Sequence, residues 1–212
     1  MTAYRLIKNT AKAGNTVLGA GCYSAALESY ARDDTVIKIG NNMNDPWITY
    51  YEQVIAKMQD NPCVPKVKSF YIDYNNEYYV CVMERLQDSC PVFANREAAY
   101  ELVREYLYGE IKLKKFVKRA KKFPQQFPNI FALVELMDYI IKWTDAFTCE
   151  DAEHILEEDD YMCATKLDMH SGNVMFRGYE LVITDPWCNV EMDDVPSVCD
   201  WAEENLNEYE WG

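Results

Sequence analysis

Two short segments in the last quarter of the sequence carry side chains suited to phosphate chemistry. The first, Asp168-Met169-His170-Ser171-Gly172-Asn173, places a carboxylate and an amide five positions apart, on a turn between a predicted helix and a predicted strand. In the second, Ile183-Thr184-Asp185-Pro186, a carboxylate leaves the end of an apolar strand. With this spacing, Asp168 can orient an attacking hydroxyl while Asn173 and Asp185 hold Mg²⁺, an ion that combines few protein carboxylates with phosphate oxygens.

Two further features lie near the amino-terminal end. Gly19 and Gly21 follow a short apolar run and precede Ser24, and glycines at such a turn let backbone N–H groups approach phosphate oxygens without interference from a Cβ atom. Lys38 lies in the β-branched run 35–39, where its cation could neutralise nucleotide phosphates. Taken singly, the glycines also fit an ordinary turn and the lysine an outward-pointing strand residue. Their order along the chain, ahead of the two acidic segments, favours a phosphoryl-transfer site.

The elements that must position these residues change in character near residue 85. Asp45 and Pro46 provide an N-cap and a first helical position for the one helix that we expect before this point. The predicted elements are, in order, two short β-runs within 16–40 joined by the glycine-rich turn, a helix over 47–58, strands 67–73 and 78–84 joined at Asn75-Asn76, helices 96–123, 128–144 and 149–163, and a hairpin over 174–184. The pattern predicts an α+β fold, strand-rich over 1–85 and mostly helical over 86–212.

The composition excludes several classes of protein. The chain has 212 residues, is 49% hydrophobic, and carries 35 acidic against 21 basic residues, for a net charge of −14. The hydrophobic content excludes general disorder, and the negative charge opposes direct nucleic-acid binding. No apolar run approaches the ~20 residues of a membrane span, and no secretory leader is visible. The eight cysteines include no Cys-x-x-Cys pair, so we expect free thiols in a reducing cytoplasm.

Four segments of the chain resemble a known family. They are Leu18-Gly19-Ala20-Gly21-Cys22-Tyr23-Ser24-Ala25-Ala26, Val36-Ile37-Lys38, Asp168-Met169-His170-Ser171-Gly172-Asn173 and Ile183-Thr184-Asp185-Pro186. These segments are similar to the glycine-rich loop, strand lysine, catalytic loop and metal-binding aspartate of the protein-kinase-like fold. In detail they resemble the early serine/threonine protein kinases of T7-like lytic bacteriophages. The resemblance covers about residues 15–190 and only the kinase part of that family, and it implies a two-lobed fold with an N-lobe at 1–85 and a C-lobe at 86–212.

The resemblance also implies an activity. We expect transfer of the γ-phosphoryl group of ATP, with Mg²⁺, to serine or threonine of host bacterial proteins, among them components of transcription and RNA processing. This reaction would take place in the cytoplasm of the infected bacterium, with no membrane and no nucleic acid as partner. Ser197 is a conceivable site of self-phosphorylation.

The roles of single residues are carried over by matching position. The resemblance implies that Asp168 and Lys38 are catalytic and that Asn173 and Asp185 bind the metal. The nucleotide-binding set that it implies is Gly19, Gly21, Ser24, Lys38, Glu52, Met83 and Glu84. The carboxylate of Glu52 would pair with Lys38 or, alternatively, would be a solvated helix residue. The two residues at 83 and 84 are candidates for binding the adenine edge by position only.

Departures from ordinary protein kinases leave other functions open. Lys166-Leu167 replace the usual histidine before Asp168, and His170 stands where a lysine is usual, as it does in small-molecule phosphotransferases of the aminoglycoside kind. Asp185-Pro186-Trp187 replaces Asp-Phe-Gly and predicts less in/out switching of this segment. One alternative is therefore a small-molecule phosphotransferase whose acceptor pocket is lined by the acidic residues 150–160. Another, suggested by the net charge, is a non-catalytic, kinase-like acidic inhibitor of a host factor.

Three charged or titratable features remain. We expect His170 to order the loop around it by hydrogen bonding and His154 to lie on the surface. The basic residues within 112–122 form either a solvated helix face or a docking patch for an acidic protein or nucleic acid. The acidic carboxyl-terminal tail either packs on the C-lobe or engages a basic partner.

Overall fold

A computed structural model of the chain describes residues 2–87, 93–148, 165–189, 197–206 and 209. The predicted helix 149–163, with His154 and the acidic residues 150–160, lies outside these residues. Within them, no helix is both long and apolar enough to cross a bilayer. Five of the eight cysteines are described, and none of these five forms a disulfide bond: Cys22, Cys63, Cys81, Cys188 and Cys199.

The described residues form an α+β fold, as predicted. The helices are α1 (Ala3–Lys12), α2 (Pro46–Tyr50), α3 (Phe93–Leu107), α4 (Leu113–Ala120), α5 (Ile130–Thr148) and α6 (Val198–Asn205). The strands are β1 (Val17–Ala20), β2 (Ser24–Ser29), β3 (Arg32–Gly40), β4 (Val67–Asp73), β5 (Tyr78–Glu84), β6 (Thr165–Leu167), β7 (Val174–Arg177), β8 (Glu180–Ile183) and β9 (Trp187–Asn189).

The chain divides into two compact units that differ from the predicted division at residue 85. The first unit contains Met1–Asp45, Lys66–Arg85 and Glu191–Gly212, and the second contains Pro46–Pro65 and Leu86–Val190. The segment 46–65 therefore belongs with the helical part. The carboxyl-terminal segment belongs with the strand-rich part, because α6 buries its apolar side chains there.

The first unit is built on a five-stranded antiparallel sheet with the order β1-β2-β3-β5-β4. Both strands predicted at 67–73 and 78–84 are confirmed. The turn between them is stabilised by Asp73, whose Oδ1 accepts from the backbone N–H groups of Asn75 and Asn76. The prediction of two β-runs within 16–40 is wrong, because β2 is a third strand in this region. Its residues, Ser-Ala-Ala-Leu-Glu-Ser, have weak β propensity, and pairing with β1 on one side and β3 on the other holds them extended.

Helices α1 and α6 cover one face of this sheet. In α1 the buried side chains are Ala3, Ile7 and Ala11, one helical turn apart, and they join a core with buried side chains of β1, β2 and β3. Lys38 alternates with the core residue Ile39 along β3, so the lysine lies on the opposite face of the sheet from α1 and α6. The sequence analysis did not anticipate α1.

The helices of the second unit correct one prediction and confirm another. The single helix predicted over 96–123 is wrong, because the chain breaks into α3 and α4 at Gly109. This glycine has a φ of +72°, and its N–H donates to Tyr106 O, the arrangement in which glycine commonly ends a helix. The helix predicted over 128–144 is confirmed as α5. The helix predicted over 47–58 is α-helical only through α2 and continues as a π-helical turn, Tyr51–Ile55.

Candidate active site

Two short antiparallel ladders bring Asp168, Asn173 and Asp185 together within the second unit. Strands β6 and β9 pair, with Leu167 opposite Trp187. Asp168, which directly follows β6, therefore lies beside the residues that directly precede β9. Its backbone N–H donates to Pro186 O at 2.9 Å.

The second ladder completes the arrangement. Strands β7 and β8 pair, with Val174 opposite Ile183, and form the hairpin that the sequence predicted. Asn173 therefore lies beside the residues that follow β8, and its carbonyl accepts from Thr184 N at 3.0 Å. Asp185 lies in the three-residue link between β8 and β9, so it is adjacent in space to both other residues.

Hydrogen bonds inside the loop fix its shape. Asn173 donates from Nδ2 to Asp168 O at 2.6 Å, and its backbone N–H donates to His170 O at 3.0 Å. His170 Nδ1 accepts from Gly172 N at 3.0 Å, which caps a 3₁₀ turn over Ser171–Asn173. The ordering role predicted for His170 is thus confirmed. Its Nε2 lies 3.8 Å from Asp168 Oδ2, where both side chains are about half exposed.

Two tyrosines outside the loop brace its backbone, and sequence analysis missed both. The hydroxyl of Tyr100 donates to Met169 O at 2.9 Å, and that of Tyr108 donates to Leu167 O at 3.2 Å. The two carbonyls flank Asp168 on either side. Burial raises the pKa of Tyr100, which keeps the hydroxyl protonated as a donor. The eight-residue spacing of the tyrosines, about two helical turns, was the available signal, but it does not say what they contact.

The residues after Asp185 are anchored in the core of the second unit. Trp187 is 3% exposed and donates from Nε1 to Thr144 Oγ1 at 2.9 Å. Its ring packs edge-on against Tyr50, with 5.6 Å between the centroids. The fully buried Tyr50 donates to Ile183 O at 2.9 Å, so both ends of the segment around Asp185 are held. Burial, with the charge of Asp185 as a further contribution, raises the pKa of Tyr50 well above its ordinary value.

The glycine-rich loop and Lys38 lie in the first unit. A Cβ atom added to Gly19 or to Gly21 would meet no described heavy atom within 4 Å, and neither residue has a positive φ. The fold by itself therefore does not require glycine at either position. Lys38 lies in register between Ala26 of β2 and Cys81 of β5. Burial raises the pKa of Cys81 to about 12, against an opposing contribution from the Lys38 charge.

The remaining predicted residues are placed as follows. The carbonyl of Ser24 accepts from Gly21 N at 2.8 Å and so closes the link between β1 and β2. Met83 and Glu84 end β5, where Glu84 is committed to Lys66: its Oε1 accepts from Lys66 N at 2.7 Å and its own N–H donates to Lys66 O. Glu52 lies exposed in the π-helical turn of the second unit.

The donor atoms near Asp185 fit the chemistry of Mg²⁺. Across the described ranges, no cluster of three or more histidine, cysteine, aspartate or glutamate side chains is arranged to hold a metal ion. The predicted pair is an amide and a carboxylate, both with oxygen donors, and Asp185 Oδ1 is buried. Magnesium is commonly held by one or two carboxylates plus substrate phosphates, so this pair is sufficient to bind Mg²⁺ together with a nucleotide. A metal ion that takes all its ligands from protein side chains would need more donors.

Helix α4 and its flanks carry the basic residues of 112–122. Arg119 forms an ion pair with Glu105, whereas no lysine of this stretch forms one with another described residue. The exposed members are Lys112, Lys114, Lys115, Lys118, Lys121 and Lys122. Their role as a solvated face or as a docking patch stays a prediction.

Comparisons with known proteins assign the chain to a family. The family model described as bacteriophage T7 protein kinase 0.7 matches residues 2–205. A search of curated protein sequences finds no match. Among solved structures, the GDP and kanamycin complex of APH(2″)-IIIa is 12% identical, with 81% of this chain and 69% of that chain covered and a TM-score of 0.36. The gentamicin complex of APH(2″)-IIa is 12% identical, with 97% and 80% covered and a TM-score of 0.37.

Proposed function

The chain belongs to the bacteriophage T7 protein kinase 0.7 family, and from this premise we propose that it is an ATP- and Mg²⁺-dependent serine/threonine protein kinase acting on host bacterial proteins in the cytoplasm of the infected cell. One observation carries the proposal beyond family membership. Asp168 and Asn173 lie on one loop, which is tied internally and is bonded to Thr184 and Pro186. These two residues flank Asp185, so the three predicted side chains belong to adjacent segments. Phosphoryl transfer depends mainly on positioning and charge neutralisation, which such a rigid loop provides.

In the proposed reaction, Asp168 acts on the acceptor hydroxyl. The acceptor hydroxyl oxygen forms a bond to the γ-phosphorus of ATP while the bond from that phosphorus to the β–γ bridging oxygen breaks, and ADP leaves. Asp168 orients the hydroxyl and accepts its proton. The half-exposed side chain is open to an acceptor, and the hydrogen bonds on both sides of it fix the backbone from which it projects.

Asn173 and Asp185 would hold the metal ion. Because Asn173 donates from Nδ2 to Asp168 O, its amide oxygen is the end that is available for a cation. When bound, Mg²⁺ neutralises the β- and γ-phosphate oxygens and orients them. Pro186 and the buried Trp187 restrict the position of Asp185, which supports the expectation of little in/out switching.

The first unit would supply the nucleotide contacts. Lys38 would bind the α- and β-phosphates, and Gly19 and Gly21 would cover them from a loop where glycine is not required by the fold. The pairing of Glu52 with Lys38 belongs to this proposal. The proposal also includes a contact of Ser24, in the glycine-rich loop, with the nucleotide, and contacts of Met83 and Glu84 with its adenine edge.

A labelling experiment tests the proposal. Purified protein is incubated with γ-³²P-ATP, Mg²⁺ and bacterial lysate, beside Asp168→Asn and Asp185→Asn, with Asp60→Asn in an exposed turn of the same unit as the matched control. We expect labelled protein bands with the wild type and the control. Asp168→Asn should abolish labelling while retaining nucleotide binding, and Asp185→Asn should abolish labelling and weaken Mg²⁺-dependent nucleotide binding.

Other outcomes would identify the alternative functions. Label on aminoglycosides or sugars and none on protein would indicate a small-molecule phosphotransferase. A host protein captured equally by the wild type and both variants, without label or nucleotide binding, would indicate a non-catalytic inhibitor. Near-wild-type labelling by Asp168→Asn would refute the assigned mechanism.

A further inference from the structure

The amino-terminal end of α6 is bonded to the glycine-rich loop between β1 and β2. Val198 N donates to Cys22 O at 2.9 Å, and Cys199 N donates to Gly21 O at 3.0 Å. The first N–H groups of a helix have no partner within the helix, and here two of them are satisfied by loop carbonyls. Ser197 caps the same end: the N–H of Cys199 is shared between Gly21 O and Ser197 Oγ, which accepts at 3.1 Å.

Helix α6 is in turn fixed to the sheet. Val198, Ala202 and Leu206 are fully buried in the core that α6 shares with α1. The ring of Trp201 packs on that of Tyr4 of α1, with 4.7 Å between the centroids. The loop is thus connected through backbone hydrogen bonds to an element that cannot shift without opening the core of the first unit.

The tip of this loop lies at the surface of the first unit. Gly21 and Cys22 are exposed, and an added Cβ at Gly21 would meet no described atom within 4 Å. A glycine-containing loop has many accessible backbone conformations, so ordering it when a ligand binds costs free energy. A contact that orders the loop beforehand lowers that cost and raises affinity.

We propose that α6 is a positioning element of the nucleotide site: by bonding the carbonyls of Gly21 and Cys22, its capped amino-terminal end holds the glycine-rich loop in the conformation that receives the phosphates. This inference rests on the proposed nucleotide-binding role of the loop. Ser197 is then a positioning residue, acting on nucleotide through the helix end that it caps.

Matched caps on the two helices of the same core provide the test. Ser197→Ala removes the cap of α6, and Thr2→Ala removes that of α1, where Thr2 Oγ1 accepts from Arg5 N. Loss of an N-cap weakens a helix end by an amount equivalent to about fivefold in an equilibrium constant. We expect Ser197→Ala to weaken binding of the fluorescent nucleotide mant-ADP by about that factor and to raise the KM for ATP, with kcat little changed. Thr2→Ala should leave both constants unaltered, and Ser197→Asp, which restores a strong cap, should rescue them.

Amide hydrogen exchange separates this inference from the proposed function. Exchange in residues 19–24 should accelerate in Ser197→Ala and not in Thr2→Ala. If wild-type protein fails to bind mant-ADP, the proposed function is refuted, whereas loop exchange still decides whether α6 holds the loop. Equal effects of both variants on exchange and affinity, or no effect of Ser197→Ala on either, would overturn the inference.

A second pair of variants applies if Ser197→Ala does not fold. Val198→Pro deletes the N–H that donates to Cys22 O, at the first helical position, where proline is favoured, and the extended Ser197 is compatible with a following proline. Ala3→Pro is the equivalent change in α1, after the extended Thr2. Faster loop exchange and weaker nucleotide binding in Val198→Pro alone support the inference, and parallel behaviour of the two variants contradicts it.

Discussion

At the scale of single residues, the geometry of Asp168 depends on groups that are distant in the sequence. The carbonyls on either side of it, at Leu167 and Met169, accept from Tyr108 and Tyr100. These tyrosines touch the backbone of the loop and not its carboxylate, so they act on the proposed reaction by positioning.

Tyr100→Phe should therefore impair turnover more than nucleotide binding. Loss of one hydrogen bond of this kind costs about 1 kcal/mol. If that free energy is lost from the positioning of Asp168 in the transition state, kcat falls by about threefold to tenfold, with the KM for ATP little changed. Steady-state kinetics measure the split, with Tyr179→Phe, an exposed tyrosine of the same unit, as control. A drop in nucleotide affinity with unchanged kcat would contradict this role.

Two glycines of the first unit should respond oppositely to alanine. A Cβ at Gly40 would lie 2.0 Å from the ring of Tyr79, which is fully buried and donates to Asp45 Oδ2 at 2.6 Å. Gly40→Ala should lower the free energy of unfolding by about 1–3 kcal/mol through overpacking. Gly19→Ala meets open space, so urea unfolding should show little change while mant-ADP binding weakens. Equal stability of the two variants would refute the overpacking expected at Gly40. Unchanged nucleotide binding by Gly19→Ala would refute the role expected for Gly19.

At the scale of elements, the segment from β8 to β9 is held by helix α5. Thr144 donates to Ile140 O within α5 and accepts from the indole N–H of the buried Trp187. The segment that carries Asp185 is thereby attached to a helix of the core, which is the physical basis for expecting little switching.

Thr144→Val should loosen this segment. The indole N–H of Trp187 would lose its acceptor while buried, at a cost of about 1–3 kcal/mol of unfolding free energy. Amide exchange in 185–189 should accelerate as well. Thr10→Val is the matched control, because Thr10 makes the same bond to the carbonyl four residues earlier, Leu6 O, in α1. If the two variants lose the same stability and exchange in 185–189 does not change, the indole contact is not what holds the segment.

At the scale of the whole molecule, buried tyrosines and a buried cysteine make the fold sensitive to alkali. Burial raises the pKa of Cys81 to about 12, and burial followed by the hydrogen bond to Asp138 raises that of Tyr106 to about 12. Burial also raises the pKa of Tyr50. The unfolded chain would release these protons at its ordinary pKa values, about 9 for cysteine and 10 for tyrosine, while the folded chain retains them.

The contribution of these groups to the free energy of unfolding should therefore be fully present below about pH 9 and should be lost as pH rises from about 9 to 12. Urea unfolding at pH 8, 10 and 11 measures the loss. In Tyr50→Phe the free energy of unfolding should decrease less steeply with pH. In Tyr30→Phe, whose ring is 80% exposed, the decrease should be the same as in the wild type. Stability that is independent of pH across this window, or the same slope in Tyr50→Phe, would contradict the assignment.

The sequence by itself determined what depends on neighbouring residues. The strands β4 and β5 were predicted from two runs joined at Asn75-Asn76, and the hairpin of β7 and β8 was visible from two apolar runs around Arg177-Gly178. The four motifs also identified the family, because residue type and order along the chain survive without knowledge of packing. The missed break at Gly109 was equally local, and the glycine itself was the signal.

Only the tertiary structure decided which distant segments meet. The strand β2 forms because it is paired on both sides, although its residues have weak β propensity. The hydroxyl of Tyr100 reaches Met169 across 69 residues of chain, and α6 reaches Gly21 from the other end of the sequence. Such contacts are selected by burial and by the need to satisfy backbone polar groups over the whole molecule, and no short-range pattern encodes those two requirements.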